Sequence, residues 1–349
     1  MKARRWPMVM IFLAVAVAAA GPLSAGPPLI PPGLEQAVAA QEAHTDALLA
    51  RPGVVGTAVG LGADGRPVVK VYTRSGRVGG LPHALDGVPV EVEVTGDLVA
   101  QTHARGTWKR PVPTGVSIGS ERLIVRGGLL YCTVGTLGAR VIDGQGARYI
   151  LSNAHVLALE GSQPYGAVQE GSSTGDRILQ PGRVDMPGCG TASQIDAAVI
   201  GHLADYTPIE LSRKASNTVD AAIAFTDVSL VGTATPAGYT PGSGPVTAAL
   251  GMPVKKFGRT TDLTRGKVTG LNATVVIRYD KGQARFVNQI VVQGAGGAFS
   301  AAGDSGSLIV TDDANNAPVA LLFAGSSSTT IGNPIQAVLD AFGVEIDGN

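Results

Sequence analysis

The chain of 349 residues carries 27 Lys+Arg against 27 Asp+Glu, a balance that excludes the surplus of basic charge on which nucleic-acid and polybasic membrane binding rely. Gly 48 and Pro 22 make about one residue in five, against roughly 12% in average usage. With 44% hydrophobic and only 15% charged residues, the composition describes a folded, turn-rich, β-leaning chain rather than a disordered one or a helical bundle.

Residues 1–25 read as a secretory signal: Lys2, Arg4 and Arg5 give a positive start, residues 8–20 are apolar throughout, and Leu23-Ser24-Ala25 offers a small-residue cleavage site. The apolar run, roughly 13 residues, is short of the ~20 that span a bilayer, so no stable membrane span is expected after cleavage. The localisation implied is secreted or periplasmic. After a leader with Pro27, Pro28, Pro31 and Pro32, residues 34–50 read as a helix stopped by Pro52-Gly53. Residues 54–60 and 67–73 are β-type runs around the hairpin signal Ala63-Asp64-Gly65-Arg66, and residues 88–94 alternate as a half-buried strand does. Together they define a small α+β module over 34–104, followed by a polar, basic linker up to Pro113.

From residue 114 the pattern changes to short apolar runs interrupted by Gly, Asp and Pro, at 123–125, 139–142, 149–151, 197–200, 221–225, 275–279 and 290–292. Such spacing predicts a mainly β domain over 114–349, long enough for two barrels. Asn333-Pro334 before Ile335, Val338, Leu339 and Phe342 predicts a C-terminal helix, with Asn333 as cap and Gly343 as stop. Cys132 and Cys189 are the only cysteines. They permit one bridge in an oxidising compartment and equally two buried thiols.

Chemistry concentrates at Gly303-Asp304-Ser305-Gly306, which closes a Gly/Ala-rich loop and runs into the strand-like Leu308-Ile309-Val310. A serine becomes a nucleophile when a base takes its proton, a third group orients that base, and donors wait where the oxyanion forms. The glycines allow backbone N–H groups to converge, which makes the amides of Gly303 and Ser305 candidate oxyanion donors. Among the five histidines, His44, His83 and His103 fall in the module or its loops and His202 continues a strand. His155 stands where a β run ends in Ser152-Asn153-Ala154. Two acids compete to orient it, because Ile195-Asp196-Ala-Ala-Val-Ile and Val219-Asp220-Ala-Ala-Ile-Ala each place an aspartate at the head of an apolar run. An aspartate buried there without a partner is costly.

Ser152-Asn-Ala-His155, Val219-Asp220-Ala-Ala-Ile-Ala and Gly303-Asp-Ser305-Gly, in that order, resemble the trypsin/chymotrypsin family of serine peptidases. Thr136-Leu-Gly-Ala-Arg-Val, Ile178-Leu-Gln-Pro-Gly and the stretch from Gly258-Arg-Thr-Thr to Arg265-Gly266 are similar to a bacterial trypsin-like branch with an extra N-terminal module. The resemblance implies a chymotrypsin-like double β-barrel and a secreted endopeptidase working through an acyl-enzyme on Ser305. His155 is then the general base, Asp220 its orienter in preference to Asp196, and the amides of Gly303 and Ser305 the oxyanion hole. A protein or peptide substrate is implied, with no cofactor, metal or nucleic acid. Phe299 and Ser300 stand where a preference for Arg or Lys would need an acid. The cysteines do not match the family's bridge beside the catalytic histidine, and Asp304 is expected to find a partner other than a freed N-terminus, with the run at 123–125 read as a barrel strand.

Two other readings compete. Gly115-Val-Ser117-Ile-Gly119 fits a nucleophile-elbow pattern but lacks the strand before and helix after that the elbow needs. A non-catalytic secreted binding protein on the same scaffold is the alternative from another class.

Overall fold

A computed structural model describes residues 31–96, 98, 106–126, 129–159 and 175–348, with the backbone alone for 125 and 126. The signal over 1–25, Pro27, Pro28 and His103 lie outside the described residues. Helix α1 (Leu34–Leu49) buries Ala37, Ala40, Leu48 and Leu49 against strands β1 (Val54–Leu61) and β2 (Pro67–Thr73), which form the expected hairpin. Past the two-residue strand β3 (Ala84–Leu85), β4 (Val88–Val94) lies parallel to β2, with Val69 opposite Val90.

The next stretch supplies β5 (Ser117–Ser120), β6 (Ile124–Arg126), β7 (Leu129–Tyr131), β8 (Gly135–Thr136), β9 (Ala139–Asp143), β10 (Arg148–Ser152), the single turn α2 (Ala154–Leu157), β11 (Arg177–Leu179), α3 (Ala192–Ala198), β12 (Val199–Tyr206) and β13 (Ala222–Thr226). All but β6 and β7 of these strands join the C-terminal strand β20 (Val344–Ile346) in one curled sheet, ordered β20-β9-β10-β13-β12-β11-β5-β8. Ile118, Leu137, Ile150, Leu157, Ile178 and Leu203 fill it. Two expectations fail here. The run at 123–125 is not a barrel strand, because β6 pairs with β7 in a separate two-stranded ribbon. Asp196 does not head a strand: Thr191 and Gln194 form a reciprocal capping box that starts α3, so the helix claims Asp196 and the strand begins at Val199. Ser117 lies inside β5, so the elbow pattern has no strand-turn-helix context. Cys132 and Cys189 are bridged.

The third stretch forms β14 (Pro253–Gly258), β15 (Asp262–Tyr279), β16 (Gly282–Gly294), β17 (Leu308–Thr311), β18 (Pro318–Gly325), β19 (Thr330–Pro334) and α4 (Ile335–Phe342). These strands curl into a second sheet, ordered β14-β17-β18-β19-β16-β15, which an additional β14–β15 pairing closes. The runs at 275–279 and 290–292 are parts of much longer strands. The hairpin turn between them is at 280–281, while within the strands the β15–β16 register shifts at bulges between Val268 and Gly270 and again up to Val275, with Asn272 and Asn288 at positive φ. Helix α4 starts later than expected, since Asn333 belongs to β19 and Pro334 takes the cap position, while Gly343 stops the helix at φ 62°.

The chain is thus mainly β, with two curled sheets and a C-terminal helix. One shared cluster, including Leu151, Val310, Leu321, Val338 and Ile346, binds both sheets to α4. The strands of the N-terminal part extend the second sheet edgewise, because β1 pairs with β15 antiparallel through Gly56 opposite Val275. The described part of the expected linker is docked on the first sheet: Trp108 N–H donates to Gln180 Oε1 at 3.0 Å and Arg110 to the carbonyls of Ala197 and Val199. Among the described residues no helix is long and apolar enough to cross a membrane.

Candidate active site

Strand β10 ends at Ser152, and the chain turns at once into α2 with His155 in its only turn. Side chains fix that corner. Ser152 Oγ donates to the Thr136 carbonyl at 2.8 Å, and Asn153 Nδ2 donates to the Asp220 carbonyl at 2.7 Å. His155 retains 7% of its surface.

Asp220 precedes β13 and has no exposed surface. A carboxylate so placed needs donors, and three supply them. His155 Nδ1 lies 2.7 Å from Oδ2, the Tyr279 hydroxyl donates to the same oxygen at 2.8 Å, and the His155 backbone N–H donates to Oδ1 at 3.2 Å. With an ionised carboxylate facing Nδ1, the ring proton sits on Nδ1, and Nε2 is the nitrogen able to take up a second proton. Behind Asp220, its own N–H donates to Asn333 Oδ1 at 3.1 Å, and Asn333 Nδ2 donates to Gln289 Oε1 at 2.7 Å.

Ser305 lies in the turn between Gly303 and Gly306, both at positive φ. Gly306 has a second reason to lack a side chain: a Cβ there would collide with Ser152 Oγ and the Thr136 carbonyl. That collision also shows how closely the serine turn approaches the segment carrying His155. Thr136 clasps the two, since its carbonyl accepts from Ser152, its N–H donates to the Ser305 carbonyl at 2.7 Å and its hydroxyl donates to the Gly303 carbonyl at 2.7 Å. Ser305 Oγ stands 3.5 Å from the Phe323 carbonyl.

Asp304 turns away from Ser305 into a fully buried pocket. Its carboxylate accepts from the N–H groups of Thr260, Thr261 and Ala301 and from the Thr261 hydroxyl, and Lys256 Nζ lies 3.6 Å away. Gly258 leaves room for it, because a Cβ there would meet Asp304 Oδ1 and Ser307 Oγ at 2.5 Å. Burial pushes the Lys256 amine below its usual range, and the Asp304 charge opposes that shift. The sequence-level expectation of an internal partner for Asp304 is therefore met by a residue that sequence reasoning did not single out.

The remaining candidates lie apart from this cluster. Asp196 is 68% exposed and pairs with Arg177 at 2.6 Å. His44 meets Asp86 at 3.0 Å, and the His202 ring is 3.4 Å from the Gly175 carbonyl. Phe299 and Ser300 are buried, the latter with its hydroxyl 2.6 Å from that of Thr330. Among the described residues no group of three His, Cys, Asp or Glu is placed to hold a metal. Tyr279, Asn333, Thr136 and Lys256 were not legible as site residues. Tyr279 ends an apolar run and Asn333 mimics a helix cap, and neither carries a local signal of its second role.

Residues 215–333, about a third of the chain, match the family of the Nal1 C-terminal domain. The match includes Asp220 and Ser305 and stops short of His155. No curated protein matches the sequence. Among solved structures, the chain is similar to a glutamic acid-specific serine protease that uses a histidine triad in substrate binding (21% identity over 67% of this chain and 100% of that one, TM-score 0.42). It is also similar to Thermobifida fusca protease A (17%, 68% and 100%, TM-score 0.41) and to Cellulomonas bogoriensis chymotrypsin (19%, 68% and 99%, TM-score 0.40). Identities and scores this low assign no activity.

Proposed function

We propose that the protein is a secreted serine endopeptidase with Ser305 as nucleophile, His155 as general base and Asp220 as its orienter. The observation that carries this reading is the buried contact of His155 Nδ1 with Asp220 Oδ2 at 2.7 Å, on a corner clasped by Thr136 to the turn that bears Ser305. In the reaction Ser305 Oγ attacks the peptide carbonyl carbon while His155 Nε2 takes the hydroxyl proton, and the amides of Gly303 and Ser305 receive the oxyanion. Collapse breaks the C–N bond, and His155 returns the proton to the leaving amine. Water, deprotonated by the same nitrogen, then releases the acid and restores Ser305. The signal expected over 1–25 supports export, to be checked by N-terminal sequencing of the mature protein, with Gly26 as the expected first residue.

A second reading, a binding protein that keeps the triad unused, draws on one observation: Ser305 and Asp220 have no exposed surface. Fluorophosphonate labelling read by intact mass separates the two. The peptidase reading expects one adduct that Ser305→Ala abolishes. No adduct on the folded protein, even after prolonged exposure, overturns it.

A further inference from the structure

An apolar cluster drawn from distant parts of the chain adjoins the triad, for it includes Ala154, next to His155, and Tyr279, which bonds Asp220. Phe323 and Ala324 of β18 have no exposed surface, and they share one buried cluster with Ala154, Tyr279, Phe286 and Leu98. The walls are aromatic, with Phe286 and Phe323 centroids 4.8 Å apart and Tyr279 6.0 Å from the His155 ring. Leu98 joins Val55, Ala58 and Tyr72 as the members that come from the N-terminal part, and it alone of these lies beyond β4. It is 1% exposed, and its carbonyl accepts the Arg278 N–H at 3.1 Å, one residue from the tyrosine that bonds Asp220.

A second contact holds the same part of the chain to the rim of the site. Glu93 of β4 accepts from Gln293 Nε2 at 2.6 Å and from the Thr329 hydroxyl at 3.3 Å, with Lys70 Nζ 3.4 Å from its other oxygen. Thr329 leads into β19, whose Thr330 bonds Ser300 behind the serine loop. Beside Ser305, β18 has lost its β17 partner: that pairing ends at Leu321, while Ala324 and Gly325 are paired to β19 alone. An extended peptide added at such an edge places alternate side chains in the pockets below it. A pocket opened among these side chains by withdrawal of Leu98 would accept an uncharged aliphatic group and penalise a charged one.

We propose that this pocket is the subsite for a bulky aliphatic side chain of the peptide substrate and that Leu98 fills it in the intact chain, which keeps the peptidase latent. The proposal rests on the peptidase reading and adds to it a substrate class and a means of control. Substrate competes with an occupant supplied in the same molecule, so the apparent rate falls by the fraction of molecules in which the pocket is open.

The test uses full-length protein and acylated amino-acid diphenyl phosphonates with a leucine, lysine or aspartate side chain, which lose phenol as Ser305 is captured. Leu98→Ala, and separately Glu93→Gln, which leaves the pocket intact, are expected to be labelled by the leucine probe at least about tenfold faster than wild type. The leucine probe is expected to exceed the other two on both variants. If Leu98→Ala does not fold, Glu93→Gln decides. Labelling of the folded variants at the wild-type rate overturns the occupancy while leaving the peptidase reading intact. Faster labelling without preference for leucine overturns the subsite. Absence of labelling by every probe on every folded protein overturns the peptidase reading and this proposal with it.

Discussion

Tyr279 donates its hydroxyl to Asp220 Oδ2 at 2.8 Å, the oxygen that also faces His155 Nδ1. A residue near the end of the long β15–β16 hairpin thus reaches across the barrel interface to fix the carboxylate behind the histidine. Hydrogen bonds to a charged group contribute about 1.5–3 kcal/mol. Tyr279→Phe is therefore expected to slow capture of Ser305 by about 10–100-fold, read as the labelling rate on a Leu98→Ala background. An unchanged rate rules out a positioning role for the hydroxyl.

Asp220→Asn and Asp196→Asn are expected to behave oppositely. Replacing Asp220 favours the wrong imidazole tautomer and is expected to cost about 10⁴ in turnover. Asp196 is exposed and paired with Arg177, so its replacement is expected to change stability by no more than about 1 kcal/mol and leave the labelling rate unchanged. Parallel rate measurements on the two variants decide which acid serves His155.

Lys256→Met leaves the Asp304 carboxylate buried with its cation gone. Breaking a buried pair in this way costs about 3–5 kcal/mol, although the backbone and hydroxyl donors of residues 260, 261 and 301 soften the loss. Urea denaturation is expected to show the drop, with Ser305 labelling lowered because Asp304 shapes the serine turn. The double variant Lys256→Met with Asp304→Asn is expected to be less destabilised than the single one. A double variant no more stable than Lys256→Met argues that the pair's charges are not what holds the loop.

The Cys132–Cys189 bridge closes a sequence separation of 57 residues. By the loop-entropy account such a bridge is worth roughly 4 kcal/mol, so replacing both cysteines by alanine is expected to lower unfolding stability by about 2–4 kcal/mol. Non-reducing mass analysis of the folded protein is expected to show no free thiol. Two alkylatable thiols would contradict the bridge.

Much of the polypeptide's course was legible because its causes act over a few residues. Pro52-Gly53 stops a helix, Gly65 turns a hairpin, and the alternation at 88–94 marks a half-buried strand, as the structure shows. Strand ends were less legible where a bulge and a turn use the same residue types: the run expected at 275–279 is only the end of β15, which passes through Gly270 and Asn272 because β16 pairs alongside.

By itself the sequence determined a turn-rich β protein and marked His155 and Ser305, since a polar break at a strand end and a glycine-flanked serine are local patterns. Only the tertiary structure decided which carboxylate meets the histidine, that Tyr279 and Asn333 support it, that Lys256 answers Asp304, and that Leu98 lies buried beside them. Those contacts join residues such as Asp220 and Tyr279, 59 apart, or Asp220 and Asn333, 113 apart. No periodicity along the chain encodes such pairs. They form because a buried charge must find donors wherever the barrels bring them.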